Sequence, residues 1–412
     1  SPTHLAAVAI GNLYFYGIAI FGMGILYALD PVISQAVGAG DEVGVARGVQ
    51  RGLVLAAALA VFAMLLLLPA GTFLTLARQP VEVVPIADGY AEGLVLGMFP
   101  FYAFTVLRQS LQAMMRLRPI LITVVAANAV NVFLNWVLIF GNLGAPELGA
   151  IGSAWGSSLS RWFVFLMLAT VAWTDLRPAL RPFRREALAL RPLERFLRVG
   201  IPIGAQQWLE FGVFAAAGLL MGLLGTIPVA SHQVALQLAA LTFMIPVGVA
   251  QATSVVVGQA VGREDPEGAR RSVGAGIAAV TAIMSVTAAL FLTVPAPLAR
   301  IFSDDAAVVG MAAILLPIAG VFQVFDGLQV AAAGALRGIG DTRVPMIVNL
   351  VGFWGIGLPT SAWLGFRTDL GPRGVWWGLA LGIGVVAVML LFRIQRRFGR
   401  ELRRLVIDDH AE

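Results

Sequence analysis

Long apolar runs, each closed by a short polar or basic stretch, occupy almost the whole chain. At roughly 20 residues per bilayer crossing, they predict eleven helical spans near residues 5–37, 52–77, 84–114, 119–141, 148–174, 199–224, 229–260, 274–299, 306–336, 344–365 and 374–393. Glycine and proline fall inside the runs (Pro100, Pro202, Pro246, Pro317, Pro359), as they do in membrane helices far more than in soluble ones.

Composition sharpens that picture. Of 412 residues, 59% are hydrophobic and 12% charged, against about 25% charged in a soluble domain. Lipid must therefore solvate most of the apolar surface. The chain has no Cys, which excludes disulfides, iron–sulfur clusters and thiolate metal sites. Three scattered histidines (His4, His232, His410) leave little basis for a zinc site or a His-based triad. All the basic residues are Arg, so the Lys of a phosphate-binding Walker loop is missing and ATP hydrolysis does not drive this chain. No metalloprotease or serine-hydrolase signature occurs either, so the reading is of a non-enzyme without cofactor. The net charge of +5 sits in short loops and does not point to nucleic acid. The chain opens at Ser1 without a basic n-region, so no signal peptide is expected.

The arginines orient the spans. Seven follow the fifth span, from Arg177 to Arg198, and six more run from Arg393 to Arg404, whereas the opposite side holds only Arg78, Arg300, Arg367 and Arg373. By the positive-inside rule the rich side is cytoplasmic. The chain is expected to cross its membrane many times, with that side inward.

A repeat sets the architecture. Gln35-Ala36-Val37-Gly38, then Asp41, Gly44, Arg47 and Val49, recurs 224 positions later as Gln259-Ala260-Val261-Gly262, Asp265, Gly268, Arg271 and Val273. A second echo pairs Leu148-Gly149, Gly152 and Trp155-Gly156 with Leu370-Gly371, Gly374 and Trp377-Gly378. Six spans separate the first pair of motifs, so the halves run in the same direction about an axis along the membrane normal. The expected parts are an N-terminal lobe 1–174, a basic linker 175–198, a C-terminal lobe 199–393 and a basic tail 394–412. Projecting the span 199–224 back by the offset places its partner before residue 1. The fold expected is therefore all-α, with two pseudo-symmetric six-helix lobes and the first of twelve helices outside this chain.

Ionisable groups at mid-membrane cost about 2.5–3.5 kcal/mol on insertion scales and mark function by default. Glu210 and Asp326 lie near the middle of their spans, with no basic residue evident at similar depth in that half. Gln206 lies one turn before Glu210; Phe322 and Gln323 precede Asp326 by a turn and Gln329 follows it. Such acids suit a proton or Na⁺ site, or an organic cation held by carboxylate and aromatic face; a neutral structural acid is the alternative. In the first half, Asn131 and Asn135 lie one turn apart and Ser157 lies on the next span. These can equally be helix–helix hydrogen-bonding groups. Asp30, before Pro31, is either an accessory acid or a kink partner, and Arg161 either neutralises Asp30 or lines a cavity. His232 reads as packing, and Trp208, Trp354 and Trp363 as belt residues. Pro202, Pro246 and Pro317 are candidate hinges.

The stretch Pro202 to Gly262, with Glu210, Ser231-His232-Gln233-Val234-Ala235 and Gln259-Ala260-Val261-Gly262, resembles the seventh and eighth helices of bacterial MATE (multidrug and toxic compound extrusion) transporters. Phe322-Gln323, Asp326-Gly327 and the run Gly334 to Thr342 resemble their tenth helix and the loop after it. Having both acids is similar to the NorM-like branch, where the matching carboxylates bind the coupling cation. Asn131 and Asn135 match a polar pair around a proton-linked acid on the family's first helix. The resemblance implies a V-shaped pair of lobes that exports amphipathic cations in exchange for H⁺ or Na⁺, as a monomer in lipid. Phe322 stands where many NorM-like proteins have a Tyr at the Na⁺ site, which weights coupling toward H⁺, and Asn135 replaces an Asp of other branches. A flippase for a lipid-linked or metabolite substrate is the runner-up, and a non-transporting receptor or scaffold is the alternative of another class.

Overall fold

The computed structural model describes residues 2–408, and no strand occurs among them. His410 and the last residues of the expected tail lie outside the described residues. Eleven spans follow one another: α1 Thr3–Gly38, α2 Glu42–Leu67, α3 Val84–Val95 with Met98–Ala113, α4 Arg118–Phe140, α5 Gly149–Val171 with Trp173–Leu180, α6 Leu190–Leu224, α7 Thr226–Gly262, α8 Pro266–Thr293, α9 Ala306–Gly338, α10 Arg343–Arg367 and α11 Pro372–Phe398. Among the described residues, nine are single helices long and apolar enough to cross a membrane, and α3 and α5 reach that length as bent pairs.

The differences from the apolar runs have physical causes. α3 bends by 48° at Leu96–Gly97, and the backbone carbonyls loosened there are taken up by α5. Trp162 Nε1 donates to the Leu96 carbonyl at 3.0 Å, and Ser158 Oγ to that of Gly93 at 2.6 Å. α5 turns by 86° at Ala172 into a short helix. α6 begins at Leu190, well before its apolar run, because its first turns are amphipathic and carry an i,i+4 ion pair, Arg198 to Glu194 at 2.7 Å. Within α10, Leu350–Gly357 is π-helical, a widening of the turn often found at functional sites. Pro202, Pro246 and Pro317 all lie inside continuous helices.

By contacts the chain forms two compact units. One takes the chain through Gly204 and adds the segment from Val406; the other is Ala205–Leu405. In the first, α5 packs on α4 and on both segments of α3, while α2 packs on the second segment of α3. In the second, α9 packs on α7, α8 and α11.

The sequence repeat is a repeat of local structure. α1 and α7 end alike: Asp41 N–H reaches Ala36 O at 2.9 Å and Asp265 N–H reaches Ala260 O at 2.9 Å, each around a left-handed residue, Gly40 (φ 68°) or Glu264 (φ 57°). Such closures satisfy carbonyls that a helix end would leave unpaired. The same aspartates then cap α2 and α8, accepting from Gly44 N–H at 2.7 Å and Gly268 N–H at 2.8 Å. The second echo is steric: a Cβ on Gly152 would meet the Leu138 carbonyl, and one on Gly374 the Leu364 carbonyl.

Candidate functional site

In the second unit, α9 carries Asp326 at its middle, buried, with Oδ1 lacking a hydrogen-bond partner. Glu210, on α6, lies close enough to interact electrostatically with Asp326. It also interacts with Arg337, about three turns along α9 from Asp326. Arg337 is at the end of α9, not at the depth of the two acids. Gln206, one turn from Glu210, is buried. Gln323 donates from Nε2 to the Ala239 carbonyl at 3.0 Å and also to Thr242 Oγ1, which ties α9 to α7 and leaves Oε1 open. Gln329 is buried with Oε1 unpaired. The face of α9 around Asp326 therefore holds more polar capacity than the surrounding protein satisfies.

An aromatic cluster continues this face. Phe322 meets Phe214 edge-on at 6.0 Å and Trp376 at 5.9 Å, and Trp376 lies 5.5 Å from the ring of His232. His232 is fully buried with neither ring nitrogen hydrogen-bonded, and Trp376 Nε1 is likewise unpaired. Trp376 was not singled out from the sequence; nothing marks it among the other aromatics of an apolar span. The same holds for Asn349, buried beside the π-helical turn with both amide atoms unpaired. Trp208 and Trp363 are exposed, whereas Trp354 is partly buried and donates to the Leu209 carbonyl at 3.0 Å.

In the first unit, Asn135 Nδ2 donates to Asn131 Oδ1 at 3.2 Å. Asn131, Ser157 and Arg161 line one pocket of about 310 Å³. The Arg161 guanidinium stacks over Phe15 at 4.2 Å and lies 5.3 Å from the ring of Phe101. Asp30 is buried and accepts from Gln109 Nε2 at 2.8 Å. Gln109 was not foreseen, since a lone amide on another span carries no pairing signal. Among the described residues, no three His, Asp or Glu side chains come together to hold a metal ion.

These features define a multi-pass helical membrane protein built from a duplicated half. A family model, MatE, matches residues 1–137 and 202–363, and the chain belongs to that family. It is 37% identical to PmpM of Pseudomonas aeruginosa, described as a multidrug resistance protein, over 99% of this chain and 88% of that one. It is 36% identical to NorM of Bradyrhizobium diazoefficiens, described as a probable multidrug resistance protein, over 98% and 87% of the two. The fold matches the eukaryotic MATE transporter AtDTX14 with a TM-score of 0.88 at 23% identity, over 98% of this chain and 91% of the other.

Proposed function

We propose that this protein exports amphipathic organic cations across the bacterial inner membrane in exchange for H⁺ or Na⁺, with Glu210 and Asp326 as the exchange site. One observation carries the reading: Asp326 is buried at the middle of α9 with an unpaired carboxylate oxygen, within electrostatic reach of Glu210. Two carboxylates in a weakly screening interior repel each other, and a proton, a Na⁺ ion or a cationic substrate relieves that repulsion. Each cation then competes with the others for one site. Loading of one expels another, provided that the two differ in affinity between the inward- and outward-open states.

The relatives described as multidrug resistance proteins support the substrate class. Phe322, one turn from Asp326, and the Phe214 and Trp376 rings packed edge-on against it supply the aromatic surroundings an organic cation favours. Gln206 and Gln323 extend the polar lining, and Asn131, Asn135 and Ser157 supply a milder polar patch in the first unit. Ethidium efflux from pump-deficient cells tests the reading, with ΔpH collapse and Na⁺ removal as separate arms. Loss of efflux in one arm names the coupling ion. Efflux that survives both arms contradicts antiport.

A further inference from the structure

The second unit carries an apolar groove between α9 and α11. It holds about 460 Å³ and is walled by Val321 and Phe325 on one side and by Trp377, Leu381, Gly384 and Val388 on the other. Trp377, Leu381 and Val388 are exposed, and both helices are long and apolar enough to cross the membrane. Bilayer, not water, therefore lies against this groove. Gly384 gives it depth: a Cβ there would only touch the ring of Phe325, at 3.9 Å, so the face of that ring stays open. Val321 and Phe325 directly precede Phe322 and Asp326, which puts the groove and the acid on adjoining faces of α9.

Length, lining and charge point to one kind of occupant. From Trp377 to Val388 the groove follows three turns of α11, about 17 Å at 1.5 Å per residue. One leaflet of a bilayer core is about 15 Å deep. Apart from the Trp377 indole the walls are hydrocarbon, so they lack the placed polar groups that orient a drug-sized ligand; an acyl chain needs none. Trp377 stands near the start of α11, Pro372–Phe398, at the end that the arginine distribution places outside. Arg373 is exposed and lies one turn before Trp377 on the same face. A guanidinium above an interfacial ring, with an apolar channel one leaflet long below it, matches the order of groups along a phospholipid.

We propose that this groove is a binding site for one anionic phospholipid of the outer leaflet, with an acyl chain between α9 and α11 and the headgroup phosphate at Arg373. The inference stands apart from the identity of the exported substrate and of the coupling ion.

Native mass spectrometry of the full-length protein in detergent tests it. The probes are phosphatidylglycerol and phosphatidylethanolamine with identical acyl chains, titrated separately into wild type, Arg373→Gln, Gly384→Phe, Gly384→Ala and Val286→Phe. Val286 is 71% exposed on α8, so its variant adds the same ring away from the groove. Wild type should bind its first phosphatidylglycerol about fivefold more tightly than phosphatidylethanolamine, the factor of one arginine near an anionic headgroup. Arg373→Gln should bring that ratio to about one. Gly384→Phe should lose the first binding event for both lipids, while Gly384→Ala and Val286→Phe behave as wild type. Equal lipid retention by Gly384→Phe and wild type would overturn the site, as would equal loss in Val286→Phe, which would mark the lipid as non-specific. A wild type without headgroup preference, or a preference that survives Arg373→Gln, would overturn it too. If Gly384→Phe does not fold, the Arg373→Gln ratio alone decides.

Discussion

Gln109 donates from Nε2 to Oδ1 of Asp30 at 2.8 Å, and both side chains are buried inside the first unit. The pair joins α1 to α3 across 79 residues of sequence. It also gives an acid in an apolar span the hydrogen-bond donor that lipid cannot provide.

Removing the amide should therefore hurt more than its small size suggests. Gln109→Leu takes away the donor and leaves a buried carboxylate, at about 1–3 kcal/mol or more for a charged group. Asp30→Asn keeps a hydrogen bond and should cost less. Melting of the purified protein in detergent checks the order: Gln109→Leu below Asp30→Asn below wild type.

The two repeated caps predict matched effects. Asp41→Ala and Asp265→Ala each remove an acceptor for the first turn of a helix, at about 1 kcal/mol apiece. They lie in different units, so the losses should add in the double variant to within about 0.5 kcal/mol. Denaturation of the three variants in a common detergent measures the sum.

Arg51 is 1% exposed and pairs with Asp408 at 2.9 Å, while Arg47 reaches the same carboxylate at 3.4 Å. Asp408→Ala leaves a buried guanidinium without its anion, and should cost about 1–3 kcal/mol because Asp408 itself is partly exposed. The segment it anchors should then open more readily, so trypsin should cut after Arg403 and Arg404 faster than in wild type while the rest of the chain stays intact.

How far the sequence exposed this structure depends on the kind of interaction. The order of the eleven spans was legible because lipid imposes one rule on length and polarity along the chain. Glu210 and Asp326 were legible for the same reason, since a charge stands out letter by letter in an apolar run. Asp41 and Asp265 were visible as a repeat at a fixed offset, but their capping role was not. What stayed hidden was pairing between distant spans. Nothing in the neighbourhood of His232 points to Trp376, and nothing around Arg161 points to Phe15 and Phe101. Donors on α5 meet the carbonyls at the bend of α3, and hydropathy passes straight through it. The early start of α6 was missed because an apolar window does not see a helix whose first turns face polar surroundings.

The central claim is that Glu210 and Asp326 carry the exchange. The direct measurement is ethidium efflux by wild type, Glu210→Gln and Asp326→Asn in pump-deficient cells at matched membrane expression. The account predicts that both neutral variants lose most of their ion-driven efflux while remaining folded and inserted. Efflux at the wild-type rate, with unchanged ion dependence, in both variants would contradict it.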